Sequence, residues 1–388
     1  MPNSNPETVA LMGVPISNVT MDSVVEFVNA SIQEGGFHQV ATANVDYLNN
    51  AIHDTELQRI LYKCDLVIPD GMPLLWVARL LNRPLRERVC GADLVPRLAE
   101  LSVCQGYRMF LLGASEATSR QATENLLERY PGLRICGRYS PPLTPLNQMN
   151  HEEILRRIED AQPDILLVAF GNPKQEKWLA MHRDRLTVPV CIGVGGSLDF
   201  IAGAIARAPK WMCGIGLEWA YRFLQEPRRL AQRYFSDAGA LALYVPQQFV
   251  PHALQPWSRT HSQVFSESAE NAIIISIHGN LRGESLKEFV AIARCAIKTG
   301  KNIVLNMSRT TFLGIDMLGE LIRLRSRLSP VQYLWLSGLR QCHVRVLHGA
   351  KLDAHFMTVS SVRDAMNNAT RAEQRGDLTL VRATTRQE

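Results

Sequence analysis

Small and polar residues follow five apolar runs in the first half of the chain. The runs cover residues 38–44, 65–70, 108–114, 165–171 and 188–196, and they are rich in Val, Ile and Leu. Such runs are typical of buried parallel strands. Because ligands of open parallel sheets bind outside the carboxyl ends of the strands, we expect a shared binding cleft there. The residues expected to line it are Thr42, Asn44, Asp46, Asp70, Gly71, Gly113, Ser115, Gly171, Asn172, Gln175, Glu176, Gly195, Gly196, Ser197 and Asp199.

Asp70 is the candidate general base among these residues. It closes an apolar run and is followed by Gly71. A carboxylate in a partly apolar cleft can have a raised pKa and accept a proton from a reacting group. An Asp-Gly turn, or a cap for a helix beginning near Met72, is the alternative, and the pattern alone slightly favours it.

Two glycine- and amide-bearing motifs could bind a nucleotide or a sugar. In GVGGSLDF, Gly195 and Gly196 stand where a strand turns into a helix, a place where backbone N–H groups can hold phosphate. A tight turn explains this motif equally well. In FGNPKQEKW, Asn172 is predicted to cap a helix whose first turn carries Gln175 and Glu176. Those side chains could bind sugar hydroxyls, or they could be ordinary first-turn residues.

Residues 207–235 combine positive charge with aromatic side chains. Such a segment suits phosphate or an anionic bilayer surface. A solvated helix with extended arginine side chains is the alternative. The basic residues are Arg207, Lys210, Arg222, Arg228, Arg229 and Arg233, opposed by Glu218 and Glu226.

The order of the predicted elements indicates an α/β protein with two domains. Strands alternate with helices, for example at 115–130 and 151–161, which predicts a mostly parallel sheet over residues 1–240. A proline-containing linker is predicted over 241–268 and a smaller α/β domain over 269–368. The polar residues 369–388 are predicted to form a flexible tail.

The bulk composition excludes several classes of protein. A net charge of +5 over 388 residues does not indicate a nucleic-acid partner. The eight cysteines are scattered, without the paired spacing of a zinc site. The sequence shows no signal-peptide pattern and no run of about 18 apolar residues. We therefore expect a cytoplasmic protein whose contact with a membrane is peripheral.

Seven motifs, in order, resemble the WecG/TagA/CpsF family of bacterial glycosyltransferases over residues ~9–240. They are TANVDYLNNA (42–51), VIPDGMPL (67–74), RVCGADLVPRL (88–98), FLLGASEAT (110–118), AFGNPKQEKW (169–178), GVGGSLDFIAGAIARAPKWM (193–212) and GLEWAYRFLQEPRRLAQRY (216–234). The resemblance implies a Rossmann-like fold. It also implies transfer of an N-acetylhexosamine, hexose or uronic acid from a UDP-sugar to an undecaprenyl-diphosphate-linked acceptor. The implied reaction inverts the configuration at the anomeric carbon and belongs to polysaccharide biosynthesis.

The same resemblance implies roles for individual residues. Asp70 becomes the base, and Thr42 and Asn44 become polar groups of the active site. Arg222, Arg229 and Arg233 would hold the acceptor diphosphate at the inner face of the plasma membrane. No cofactor and no essential metal are expected, and the UDP-sugar is a substrate. The residues expected to bind the donor are Gly71, Gly113, Gly171, Asn172, Gln175, Glu176, Gly195, Gly196 and Asp199.

One position departs from the pattern of some family members. Pro73 stands where those members carry glycine two residues after the Asp-Gly pair, which removes a backbone N–H.

The C-terminal domain resembles a STAS domain. The segment NIVLNMSRTTFLGIDMLGELIRL (302–324) carries the resemblance. Gly314 and Ile315 occupy the Asp-Ser positions that normally carry the phosphorylated serine, so a protein-interaction or structural role is expected instead of a phospho-switch.

Two rival functions are compatible with the same sequence. An NAD(P)-dependent oxidoreductase would also use an α/β sheet, but Leu198 breaks its G-x-G-x-x-G fingerprint. A non-catalytic or regulatory protein that binds a nucleotide sugar and acts through the STAS-like domain is the second alternative.

Overall fold

The chain divides into two compact units, Met1–Val245 and Pro246–Glu388. The computed structural model describes residues 6–209, 212, 217–255 and 262–375, without the side chains of Arg229 and of residues 371–375. Within these residues, each unit contains its own β-sheet covered by helices.

The first unit is built on a six-stranded sheet in which every neighbouring pair of strands is parallel. Its strands are β3 (His38–Ala43), β4 (Leu66–Pro69), β5 (Arg108–Gly113), β6 (Arg134–Tyr139), β7 (Ile165–Ala169) and β8 (Val190–Gly193). Their spatial order is β4-β3-β8-β7-β5-β6. The prediction of a mostly parallel α/β sheet is confirmed, and the five apolar runs form five of its strands.

Helices cover both faces of this sheet because alternate strand residues point to opposite sides. In β5, Met109 and Leu111 pack into one apolar cluster, and Phe110 and Leu112 pack into another. The fully buried Trp178 belongs to the second cluster. The helices are α1 (Met21–Glu34), α2 (Val45–His53), α3 (Thr55–Lys63), α4 (Met72–Leu80), α5 (Gly91–Gln105), α6 (Glu116–Arg129), α7 (His151–Ala161), α8 (Lys174–Met181), α9 (Ser197–Ile201), α10 (Glu218–Gln225) and α11 (Pro227–Ala253).

A β-hairpin that the sequence analysis did not predict precedes the sheet. Strands β1 (Thr8–Leu11) and β2 (Val14–Ser17) are antiparallel and almost fully buried. The two turn residues, Met12 and Gly13, both have positive φ, the geometry of a tight hairpin turn. The hydroxyl of Ser17 accepts a hydrogen bond from the backbone of Val67 at 3.2 Å, which fixes the hairpin beside β4.

The second unit has a five-stranded sheet in the order β13-β12-β11-β10-β9. Its edge strand β9 is antiparallel to β10, and the other pairs are parallel. The strands are β9 (Gln263–Ser268), β10 (Ala272–Gly279), β11 (Asn302–Thr310), β12 (Leu334–Ser337) and β13 (Met357–Val359). The helices are α12 (Glu284–Lys298), α13 (Ile315–Ser326), α14 (Gln341–Gly349) and α15 (Val362–Arg375).

The structure differs from the predicted linker and tail. Residues 241–253 belong to α11, and 263–268 form β9, which is held by backbone pairing to β10. Residues 369–375 continue α15, and Ala369 is fully buried against the second sheet. The remainder of the predicted tail, 376–388, lies outside the described residues.

Candidate active site

Asp70 lies at the carboxyl end of β4, where two neighbouring strands finish together. Its backbone N–H donates to the carbonyl of Ala43 at 2.7 Å, so the ends of β3 and β4 stay in register. Its carboxylate accepts a hydrogen bond from the backbone N–H of Gly91, the first residue of α5, at 3.5 Å. Asp70 as a whole residue is partly buried. The loop that returns from α4 therefore brings a backbone donor to the candidate base.

Burial raises the pKa of Asp70 to about 6. The positive charges of Arg88 and Arg222 and the Gly91 N–H act against this rise, and the carboxylate of Glu218 adds to it. A carboxyl with this pKa is largely ionised at neutral pH and is still basic enough to take a proton from a hydroxyl in a transition state.

Arg88 is the cation with the largest influence on Asp70. Its guanidinium is held by Glu218 of α10 at 2.6 Å, and Arg207 joins the same group through Asp93 at 2.5 Å. These ion pairs tie the start of α5 to α10. Arg88 is the first residue of the motif RVCGADLVPRL (88–98), but it was not predicted as a site residue. Its position in that motif could have identified it.

Arg222 of α10 lies at the beginning of α9. Its guanidinium lies over the ring of Phe200, 5.2 Å from the ring centroid. A Cβ atom added at Gly196 would be 3.2 Å from Nη2 of Arg222 and 3.4 Å from Oδ2 of Asp199. The structure thus brings Arg222, Gly196 and Asp199 together, and the charge of Arg222 reaches Asp70.

The other predicted arginines are placed differently. Arg233 of α11 is 3.6 Å from Asp46 of α2 and 3.8 Å from Asp237. Burial, followed by the nearby charge of Asp46, raises the pKa of Asp237 to about 6. Arg233 therefore helps to hold α11 against α2. The side chain of Arg229 lies outside the described residues.

Thr42 and Asn44 stand at the end of β3. The buried hydroxyl of Thr42 donates to the carbonyl of Gly193 at 2.7 Å, which joins β3 to the end of β8. Asn44 caps α2, its side-chain oxygen accepting from the backbone of Tyr47 at 3.3 Å. A Cβ added at Gly71 would be 3.7 Å from the Cβ of Asn44, so Asn44 borders the loop that carries Asp70.

Gln175 connects two of the predicted glycine loops. Its side-chain oxygen accepts hydrogen bonds from the backbones of Gly171 and Gly195, each at 3.1 Å. Its side-chain nitrogen donates to Tyr47 Oη at 2.7 Å and to Glu176 Oε1 at 2.8 Å. The side chain is fully buried. It lies beneath the loops after β7 and β8 and holds them together.

Glu176 is the second buried acid of this region, with 1% of its surface exposed. It accepts hydrogen bonds from Tyr47 Oη at 2.7 Å and from Asn172 Nδ2 at 3.2 Å, besides that from Gln175. Burial raises its pKa to about 7, although each of these hydrogen bonds lowers it. Tyr47 was not predicted as a site residue, because a Tyr in a helix carries no pattern that marks it.

The prediction that Asn172 caps α8 is wrong. Pro173 occupies the cap position, α8 begins at Lys174, and the Asn172–Pro173 peptide bond is cis. The side chain of Asn172 turns inward instead, where it accepts a hydrogen bond from Asn50 at 2.7 Å and donates to Glu176.

Gly113 closes β5 in a position that requires glycine. Its φ is +100°, and an added Cβ would be 2.7 Å from the carbonyl oxygen of Ala169. The next turn is fixed by Ser115, whose hydroxyl caps α6. Gly113 therefore allows the ends of β5 and β7 to approach closely at the carboxyl edge of the sheet.

The described residues contain neither a metal-binding cluster nor a membrane-spanning helix. In this part of the chain, no three His, Cys, Asp or Glu side chains are arranged to hold a metal ion. Over the same ranges, every helix is too short or too polar to cross a bilayer.

Known proteins that are similar to this chain include the following three. A Staphylococcus aureus (strain MRSA252) protein named N-acetylglucosaminyldiphosphoundecaprenol N-acetyl-beta-D-mannosaminyltransferase is 29% identical over 231 residues, 59% of this chain and 89% of the relative. The protein of the same name from Bacillus subtilis (strain 168) is 29% identical over 58% of this chain and 86% of the relative. A solved anti-sigma factor antagonist from Mycobacterium paratuberculosis matches 30% of this chain and 99% of that structure, with 16% identity and a TM-score of 0.28.

The sequence also matches a family description directly. The match to the glycosyl transferase WecG/TagA/CpsF family covers residues 9–254, more than half of the chain. It includes Asp70, Arg88, the glycine loops and α10. The protein is therefore a glycosyltransferase that belongs to the WecG/TagA/CpsF family.

Proposed function

We propose that this enzyme transfers a sugar from a UDP-sugar to N-acetylglucosamine carried on undecaprenyl diphosphate, with inversion and with Asp70 as the general base. The names of the relatives support the acceptor and suggest N-acetylmannosamine as the first sugar to test. The observation that carries the proposal is the position of Asp70, a partly buried residue whose carboxyl has a pKa of about 6, at the carboxyl edge of a parallel sheet.

The proposed reaction is a single displacement. Asp70 takes the proton of the acceptor hydroxyl while the hydroxyl oxygen attacks the anomeric carbon of the donor. The bond between that carbon and the UDP oxygen breaks on the opposite face, so the configuration inverts. UDP leaves with the bonding electrons, and the proton remains on the carboxyl of Asp70 until solvent removes it.

The departing diphosphate needs positive charge nearby if no metal takes part. Arg88 supplies this charge in the proposal, since it is the cation with the largest influence on Asp70. The predicted donor residues Gly71, Gly195, Gly196 and Asp199 border the same loops. In the proposal, Gln175 and Glu176 support donor binding by fixing the loops from below. Gly113 and Gly171 support it through their positive-φ backbone conformations.

The acceptor reaches the enzyme from a bilayer, so peripheral binding at the inner face of the membrane is part of the proposal. Arg222, together with Arg229 and Arg233, remains the proposed contact for the acceptor diphosphate, with Arg222 the best placed of the described side chains.

The test is transfer from a panel of UDP-sugars to a soluble, short-chain analogue of diphosphate-linked N-acetylglucosamine, read by mass spectrometry. A product with one added sugar, formed equally well in EDTA, is expected. A folded wild-type enzyme that gives no product with any UDP-sugar would overturn the proposed donor class. A product whose rate requires added Mg²⁺ or Mn²⁺ would overturn the metal-free part.

A further inference from the structure

The outward face of α4 (Met72–Leu80) is unusually apolar for a surface helix. Its inner side buries Leu74, Val77 and Ala78, as expected for a helix that packs on the domain. Its outer side should then be polar. Instead, Trp76 and Leu80 stand one turn apart and are 46% and 50% exposed. Two large apolar side chains at this spacing form one continuous patch.

Positive charge predominates in the segment that carries this patch. Residues 71–87 contain three arginines and one acidic residue, the exposed Glu87. Arg79 is exposed on α4 itself, beside Leu80, and Arg86 is exposed on the segment that follows. Apolar side chains that include Trp, flanked by arginines, are the composition of protein surfaces that lie in the interface of an anionic bilayer.

The position of α4 connects this patch to the candidate base. Asp70 is separated from the first residue of α4 by Gly71 alone, and the nine residues of the helix extend for about 13 Å. A surface at this distance is suitable for presenting to Asp70 a head group that remains attached to the bilayer by its lipid.

We propose that the outer face of α4, formed by Trp76, Arg79 and Leu80 and extended by Arg86, inserts into the surface of an anionic bilayer. This contact orients the cleft toward the lipid-linked acceptor. The inference rests on the proposed function for its substrate, and it is separate from the arginines of α10 and α11.

The test compares binding to vesicles with catalysis on two acceptors. The vesicles contain phosphatidylglycerol and phosphatidylethanolamine, or phosphatidylcholine alone as the neutral reference. Trp76→Ser combined with Leu80→Ser is expected to weaken binding to the anionic vesicles by about tenfold or more. Arg79→Gln combined with Arg86→Gln is expected to weaken it by about fivefold per arginine, at low salt and on the anionic vesicles only.

The kinetic readout separates docking from chemistry. With a polyprenyl acceptor in vesicles, the Trp76/Leu80 variant is expected to lose activity in proportion to its loss of binding. With a short-chain soluble acceptor its kcat/KM should remain within about twofold of wild type. The matched control combines Leu127→Ser with Leu143→Ser, which removes two exposed leucines elsewhere (42% and 102% exposed) and should change neither readout.

Three results would overturn the proposal. The Trp76/Leu80 variant could bind vesicles as the wild type does. It could lose activity on the soluble acceptor, which would make the two side chains part of the folded core or of the site. It could change the molecular mass in solution while vesicle binding stays intact, which would make the patch an interface between copies. Failure of the proposed function can be distinguished from failure of this membrane proposal. In that case the wild type would bind vesicles but transfer no sugar to either acceptor.

Discussion

Two carboxyl groups at the carboxyl edge of the first sheet, Asp70 and Glu176, have similarly raised pKa values and different surroundings. Asp70 is partly accessible and receives one long hydrogen bond from the described part of the chain, at 3.5 Å. Glu176 is buried and accepts from three side-chain donors, all within 3.2 Å. Burial is the largest cause of the raised pKa in both.

The difference shows that a raised pKa alone does not identify a catalytic acid or base. Glu176 has its oxygens occupied by Tyr47, Asn172 and Gln175, so it has little capacity left for a substrate. Asp70 has cations nearby and an oxygen that can still accept a proton. We therefore infer chemistry at Asp70 and structural support at Glu176.

The largest expected effect is on catalysis at Asp70. Asp70→Asn should reduce kcat by about 10²- to 10⁴-fold, because it removes the proton acceptor and keeps the shape. The free energy of unfolding should not decrease, since the variant no longer buries a charge. Steady-state rates and thermal melting measure the two effects. A wild-type rate in this variant would mean that another group is the base.

The next effect is on stability at Glu176. Glu176→Ala leaves three buried donors without their acceptor, and we expect the free energy of unfolding to fall by about 3 kcal/mol. Urea denaturation measures this change. Glu124→Ala, an exposed acid on α6, is the matched control and should change stability by less than about 0.5 kcal/mol. Equal stability of the two variants would contradict the supporting role of Glu176.

Activity and the contribution of Glu176 to stability should respond to pH in opposite directions. Activity should rise as pH increases through about 6, because Asp70 must be ionised to act as a base. The contribution of Glu176 to the free energy of unfolding should fall as pH rises from about 4.3, the pKa of an unfolded Glu, to about 7. Over this window the folded protein retains a proton on Glu176 that the unfolded chain releases.

Variants separate these two pH profiles. The difference in stability between the wild type and Glu176→Gln should change between pH 5 and about 7 as Glu176 titrates, while the dependence of the rate on pH near 6 remains. Asp70→Asn should remove the kinetic limb. An identical pH dependence of stability in the wild type and in Glu176→Gln would show that Glu176 does not titrate over this window.

The smallest effect is expected at Tyr47. Tyr47→Phe removes one donor to Glu176 and one acceptor for Gln175, and should cost about 1 kcal/mol of stability. Because the Tyr47 hydroxyl lowers the pKa of Glu176, the variant should shift the stability profile toward higher pH. Rates on the soluble acceptor should remain within a few-fold of wild type. A loss of activity as large as that of Asp70→Asn would place Tyr47 in the chemistry.

The fold of the first unit was largely predictable because its buried strands are continuous apolar runs. Strand β6, RICGRY, was not predicted, since it lies at an edge, carries two arginines and is only half-buried. Strand β9 was predicted to be part of a linker for a related reason. It is an edge strand, and its last four residues are all exposed. Edge strands need less apolar surface, so their sequences resemble loops.

The sequence was sufficient to predict which loops meet at the site. It was not sufficient to predict the directions in which the side chains point. The motifs identified Asp70 and the glycine loops correctly as neighbours of one edge. The inward orientation of Gln175 and Glu176 depends on Tyr47, which is more than a hundred residues away in the sequence. The pairing of Arg88 with Glu218 is of the same long-range kind. No local pattern records such contacts.

Strand β8 has a consequence for how the chain reaches its native state. It is the last strand of the first sheet to be synthesised, yet it lies between β3 and β7 and joins the two halves of the sheet. Until Val190–Gly193 have left the ribosome, both halves present an unpaired inner edge. Parallel pairing over such sequence separations is slow, and exposed edges favour aggregation. The nascent enzyme is therefore most vulnerable to misassembly just before residue 190, so its yield should depend strongly on chaperones and on expression temperature.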